Sequence, residues 1–165
     1  MKILLTGSCG GIGLAIARKF LEEGHQVVGL DIRPCPISHP NYTHITADIA
    51  DSALPPVEGV EILINNAGVQ DSGRDIDVNL KGTIRVTEQY AFQDSIKSVL
   101  FIASASASTG SEFPEYAASK GGMVAYMKNT ALRLARYGAT SNSLSPGGVR
   151  TDLNLHVMSD PQLWK

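Results

Sequence analysis

Thr6-Gly7-Ser8-Cys9-Gly10-Gly11-Ile12-Gly13 separates two stretches of different periodicity. Before it, Lys2 to Thr6 is a Leu- and Ile-rich run that reads as a buried strand. After it, Ile12, Ala15, Ile16 and Phe20 recur at helical spacing. Glycines at a strand-to-helix turn permit positive φ and let the backbone approach a phosphate closely, while the helix N-terminus favours negative charge. Gly13, having no Cβ, would let the helix pack tightly against the strand. No Gly-Lys-Ser/Thr follows the required spacer, so this is not a Walker loop. Read alone, the glycine cluster also suits an ordinary tight turn.

Working outward, Gly24 ends the helix as a C′ residue would, and Gln26 to Asp31 supplies a second apolar run bounded by Pro34 and Pro36. This βαβ unit leaves Asp31 at the end of the second strand, about 20 residues beyond the glycines. There a carboxylate can accept hydrogen bonds from a ribose diol and repel a 2′-phosphate. NAD is therefore the expected cofactor, with Arg33 leaving a smaller opening for NADP. The plainer role for Asp31 is a solvated turn residue before Ile32-Arg33-Pro34.

Further runs at residues 43–45, 60–65, 98–104 and 140–144 mostly lack polar alternation, as strands buried on both faces do. Helical spacing occupies 76–92 and 115–137, whereas Pro55 and Pro56 argue against a crossover helix between 51 and 59. The alternation predicts an α/β fold, a Rossmann-type doubly wound parallel sheet in a single domain over 1–165, abbreviated at the C-terminus.

Composition fits one core: 165 residues, 43% hydrophobic and 18% charged. A formal charge of -2 provides no basic field for nucleic acid, which favours a small-molecule partner. No run approaches the roughly 18 apolar residues needed to span a bilayer, and the first apolar run meets Gly7 too soon for a secretory segment. A cytoplasmic chain without membrane partners is expected. Cys9 and Cys35 have neither metal-ligand spacing nor a disulfide framework, so their thiols read as structural or incidental and no metal is expected.

Tyr116-Ala117-Ala118-Ser119-Lys120 places a phenol and an ammonium at i and i+4 on one helix face, where the positive charge would bring the tyrosine toward acid/base work. A surface Tyr/Lys pair has the same spacing. Ser104, however, follows the buried run Val99-Leu100-Phe101-Ile102-Ala103, and strand C-termini are where open α/β sheets bind ligands.

Taken in order, Thr6-Gly7-x-x-x-Gly11-x-Gly13, Asp48, Asn65-Asn66-Ala67-Gly68, Asn79, Ser104, Tyr116-x-x-x-Lys120 and Pro146-Gly147 resemble the short-chain dehydrogenase/reductase family, in its classical type. The resemblance runs from the first residues to about Thr151. It implies hydride transfer between NAD(H) and an alcohol or carbonyl, with Tyr116 as acid/base, Ser104 holding the substrate oxygen, Lys120 binding ribose and Asn79 anchoring a water that links Lys120 to solvent. For the cofactor it implies contacts from Gly7, Cys9, Gly11, Ile12 and Gly13 in the turn, from Asp31, and from Asp48-Ile49 beside adenine. Asn65, Ala67 and Gly68 would form the adjoining turn, and Pro146, Gly147, Val149 and Thr151 would lie near the nicotinamide, with Tyr116 and Lys120 also touching the cofactor.

Several of these positions have plainer readings. Asp48 is also a cap or turn aspartate, Asn79 an exposed helix residue, and 65–68 and 146–151 ordinary turn and loop segments. Gly10 fits the spacing Gly7-x-x-Gly10-x-x-Gly13 of the extended type, and Ser106 competes with Ser104. The connections 48–65 and 68–79 are short for the family, and only 14 residues follow Thr151 where family members usually continue. A dinucleotide-binding sensor or structural module with little turnover is the alternative function. Helix 115–137 carries Val124, Met127, Ala131 and Leu134 along one stripe and Ala118, Gly122, Ala125 and Leu132 along a neighbouring one. Such breadth of small and apolar residues predicts a homodimer or homotetramer built on it and on 76–92.

Overall fold

The computed structural model describes residues 1–111, 113–155 and 159. Lys2–Thr6 forms β1 and Gly11–Glu22 forms α1, followed by β2 (Gln26–Asp31), β3 (Tyr42–Thr46) and β4 (Ile62–Asn65). A π-helical stretch at Ile76–Gly82 runs into α2 (Thr83–Tyr90). Then come β5 (Ser98–Ile102), the single turn α3 (Ser106–Thr109), α4 (Pro114–Leu134) with a 3₁₀ end at Ala135–Tyr137, and β6 (Thr140–Leu144). Residues 51–59 contain no helix, as the two prolines predict.

The six strands are all parallel in the order β3-β2-β1-β4-β5-β6. From β1 the chain winds outward through β2 and β3, then returns to the other side of β1 as β4. The order reverses between β1 and β4, where open sheets of this kind leave a crevice beyond the strand ends.

Strand periodicity divides the core into two layers. Ile3, Leu5, Val27 and Ile64 face Ala17 and Leu21 of α1. Their neighbours Leu4, Val28, Leu63, Val99 and Phe101 join Val86 and Tyr90 of α2 and Met123 and Leu134 of α4 on the opposite side. Each central strand therefore feeds both faces, which explains runs without polar alternation. The edge strands β3 and β6, Tyr-Thr-His-Ile-Thr and Thr-Ser-Asn-Ser-Leu, are more exposed and more polar.

The buried stripe of α1 is Gly13, Ala17 and Leu21, while Ile12, Ile16 and Phe20 flank it and Ala15 faces solvent. Small side chains, rather than the largest ones, face the sheet because the helix starts so close to it. A Cβ at Gly13 would lie 2.0 Å from the Gly7 carbonyl oxygen. On α4, Ala118, Ala125 and Leu132 are exposed, Leu132 at 78%. Among the described residues no helix is long and apolar enough to cross a membrane.

Candidate active site

The turn after β1 is clasped to the end of β4. Thr6 Oγ1 accepts the backbone N–H groups of Asn66 and Ala67, each at 3.0 Å, and Asn66 Nδ2 donates to the carbonyls of Thr6 and Gly7 at 3.0 and 3.1 Å. Gly7 has φ +68, and a Cβ there would meet Ala67 Cα at 2.9 Å, so no other residue fits this clasp without displacement. The result is a cavity of about 620 Å³ at the β1/β4 reversal.

One end of the cavity is a cradle for negative charge. Gly7, Gly10, Gly11 and Ile12 line it, and the N-cap of α1, Gly10, makes no side-chain cap hydrogen bond. The first-turn N–H groups of a helix have no intrahelical acceptors, and a pyrophosphate would supply them. Asp31 and Arg33 stand beside this cradle. Asp31 Oδ2 accepts the Cys9 N–H at 2.9 Å, and Oδ1 accepts the Arg33 N–H at 3.0 Å and Nε at 3.4 Å. Burial opposes its charge, but the Arg33 and Cys9 N–H groups and the Arg33 guanidinium outweigh that and hold the carboxyl below its ordinary range. The guanidinium lies across Gly10, where a Cβ would come 2.4 Å from Arg33 Nη2. These groups fit a dinucleotide: uncapped donors for phosphates, and a carboxylate with lone pairs left for a diol.

Asp48 also lines the cavity, with Oδ1 accepting the Ala50 N–H at 2.8 Å and Oδ2 pairing with Arg74 at 3.3 Å. Ile49, lining it as well, is buried against Gly82. The turn-forming role weighed for Asp48 and a place on the cavity wall thus coexist.

At the other end, β5 and α4 bring three side chains together on the wall: Ser104, Tyr116 and Lys120. Ser104 is 7% exposed. Its Oγ donates to Ser106 Oγ at 3.1 Å and accepts the Ser106 N–H at 3.2 Å, so Ser106 lies behind it, away from the cavity. Lys120 extends beneath the Tyr116 ring, its Nζ 5.7 Å from the ring centroid, and donates to the Ile102 carbonyl at 3.0 Å. Burial pushes its ammonium down to about 8, against an opposing pull from Asp75. Gly68 makes room for this arrangement, since a Cβ there would meet Asn79 Oδ1 at 3.1 Å and Lys120 Nζ at 3.3 Å.

Asn79 is fully buried in the π-helical stretch, and its side chain does not reach the cavity. Oδ1 accepts the Val69 N–H at 2.8 Å, while Nδ2 donates to the Val69 carbonyl at 2.9 Å and to Ser119 Oγ at 3.0 Å. Ser119 Oγ in turn donates to the Tyr116 carbonyl at 2.7 Å. The amide thus ties the loop after β4 to the first turns of α4.

Ala67, Gly68, Pro146, Gly147, Val149 and Thr151 complete the wall. Cys9, Gly13 and Asn65 lie behind it, Asn65 donating to Thr87 Oγ1 at 3.0 Å. Sequence reasoning missed Arg74, Gln70, Ser72, Gly148 and Asn154 on the wall. Only Arg74 carried a signal, as a cation after a short connection to Asp48 and Asp51.

Residues 43–162 match the sequence profile described as short chain dehydrogenase. The chain is 30% identical over 191 aligned positions to short chain dehydrogenase adrF of Penicillium roqueforti, covering 98% of this chain and 74% of that protein. That span exceeds the chain's own length, so the relative carries segments that this chain lacks. Oxidoreductase UcpA of Escherichia coli K12 is 32% identical over 184 positions, covering 91% and 70%. Among solved structures, 4-hydroxyisoleucine dehydrogenase complexed with NADH superposes with a TM-score of 0.83 at 26% identity, covering 98% of this chain and 79% of that one. Aldohexose dehydrogenase of Thermoplasma acidophilum gives 0.80 at 27% identity, with coverage of 98% and 74%. The chain belongs to the short-chain dehydrogenase/reductase family of nicotinamide-dependent oxidoreductases.

Proposed function

We propose that the protein oxidises an alcohol, or in reverse reduces a carbonyl, with Tyr116 exchanging the proton and NAD(H) preferred to NADP(H). The observation that carries this reading is the convergence of Ser104, Tyr116 and Lys120 on the same cavity wall as the Gly7–Gly11 cradle. A sensor with little turnover would have no need of these three side chains in its cleft.

In the oxidation, an alcohol gives up a hydride from carbon and a proton from oxygen. A nicotinamide cofactor, whose phosphates Gly7, Gly10, Gly11 and Ile12 would hold, would supply the hydride acceptor. Tyr116 Oη takes the proton, and Ser104, turning its one hydroxyl proton from Ser106 Oγ to the substrate, donates a hydrogen bond that keeps the substrate oxygen beside it. The Lys120 ammonium steadies the negative charge on the phenol oxygen when its proton is away. One of its three N–H donors is engaged by Ile102, leaving others for a ribose. Ser106 fixes the Ser104 rotamer, and the Asn79–Ser119 pair positions the start of α4.

The cofactor preference follows from Asp31. Its carboxylate, kept ionised at neutral pH, lines the cavity at the end of β2 and would oppose the second negative charge of a 2′-phosphate bound beside it. Arg33 is anchored to that carboxylate, so its charge is partly offset. For assembly, the exposed row Ala118, Ala125 and Leu132 on α4 supports a two-fold contact with a second copy of the chain, since the small residues admit a close helix approach.

Tyr116→Phe is expected to lower turnover on the order of 10²-fold or more while leaving cofactor binding nearly intact; near-normal turnover by a folded variant removes Tyr116 from the proton transfer. Arg33→Gln should leave NAD affinity close to that of the unaltered protein, as read by fluorescence titration. If the unaltered protein instead binds NADP more tightly and the variant loses it, Arg33 and not Asp31 governs the site. Light scattering at micromolar concentration should give a dimer or tetramer, and an active, folded monomer would rule out the α4 contact as the basis of function.

A further inference from the structure

Behind the phosphate cradle, three metal-ligating side chains come together from separate parts of the chain. Cys9 lies in the turn after β1, Cys35 in the loop after β2 and His44 in the middle of β3. The ligand atoms Cys9 Sγ, Cys35 Sγ and His44 Nδ1 all lie within 4.8 Å of one another, and none of the three residues lines the active-site cavity. We propose that Cys9, Cys35 and His44 form a binding site for a borderline-soft divalent cation, with Zn²⁺ as the representative ion.

The distances suit the ion. Tetrahedral Zn²⁺, with bonds of about 2.3 Å to sulfur and about 2.0 Å to nitrogen, holds such a pair roughly 3.5 Å apart. Cys9 Sγ and His44 Nδ1 are 3.8 Å apart, so that pair closes on an ion by a few tenths of an ångström, and with all three atoms within 4.8 Å the Cys35 sulfur has roughly 1 Å at most to move. Two thiolates and a neutral imidazole also balance a divalent charge, which makes the site neutral when loaded.

The surroundings orient the ligands. His44 Nε2 is 3.2 Å from Thr46 Oγ1. In the tautomer that donates from Nε2 to the hydroxyl, Nδ1 turns its lone pair toward Cys9, as an outer-shell partner does for a metal-bound histidine. The Tyr42 hydroxyl donates to Cys35 Sγ at 3.0 Å and stands 2.9 Å from Ser8 Oγ. Gly29 leaves the space for that meeting, because a Cβ there would lie 2.2 Å from Tyr42 Oη and 2.3 Å from Ser8 Oγ. Cys35 and His44 are half-buried, giving an entry path, while Cys9 is 8% exposed.

The ion would tie the turn, the loop after β2 and β3 together through Cys9, whose own N–H holds Asp31.

The test needs neither cofactor nor substrate. Reduced, metal-free protein is titrated with Zn²⁺ against a chromophoric chelator, and with Co²⁺ to record its visible spectrum. One ion per chain is expected, with a thiolate-to-cobalt charge-transfer band, intense tetrahedral bands and a higher melting temperature in Zn²⁺. Cys35→Ala changes a half-buried loop residue and is expected to fold; it should lose the charge-transfer intensity of one sulfur and weaken binding at least about tenfold. Cys9→Ser and His44→Ala should weaken binding similarly. Absence of stoichiometric uptake by the reduced protein overturns the proposal, as does uptake unchanged in Cys35→Ala and His44→Ala.

Discussion

The clasp between Thr6-Gly7 and Asn66-Ala67 is the contact on which the rest of the molecule depends. It joins the ends of β1 and β4, the two strands that part where the sheet reverses direction. Gly13 enters the same contact from α1, with no room for a Cβ between it, the Gly7 carbonyl and Asn66. A helix N-terminus, a glycine turn and two strand ends are thereby fixed around one opening. Backbone donors at one end and Ser104, Tyr116 and Lys120 at the other then face a common cavity.

A buried ammonium makes that cavity chemically useful and costs stability. Lys120 is 4% exposed, and burial lowers its pKa from 10.5 to about 8. Between those values the unfolded chain holds a proton that the folded chain has released, so stability rises with pH through this window. Below about pH 8 both states are protonated and the penalty of burying the charge is fully present. The proton exchange proposed for Tyr116 would use such a cation beside the phenol, and shifted groups concentrate at functional sites.

The parts legible in the sequence were those set by local order. The strand-turn-helix at 6–13 is marked by glycines and a change of period, and Tyr116 and Lys120 share a face because four residues make about one helical turn. Asp31 was placed by counting along a βαβ unit. What escaped was set by contacts distant along the chain. Arg33 crosses Gly10, and the Asn79 amide joins Val69 to Ser119. His44 meets Cys9 and Cys35 only because β3 pairs with β2 in the register that sets it beside Gly29. On α1 the buried row runs through Gly13, Ala17 and Leu21, one position on from the row Ile12, Ile16 and Phe20 that the larger side chains mark, which leaves Ala15 in solvent.

The central claim is that the cavity holds a buried cation poised next to Tyr116, and titrating that one side chain tests it most directly. NMR of isotope-labelled lysine, with the Lys120 signal assigned by its loss in Lys120→Met, follows the ammonium through alkaline pH in the folded protein. The account predicts a midpoint of about 8. A midpoint at the ordinary 10.5, with the protein still folded, would contradict it.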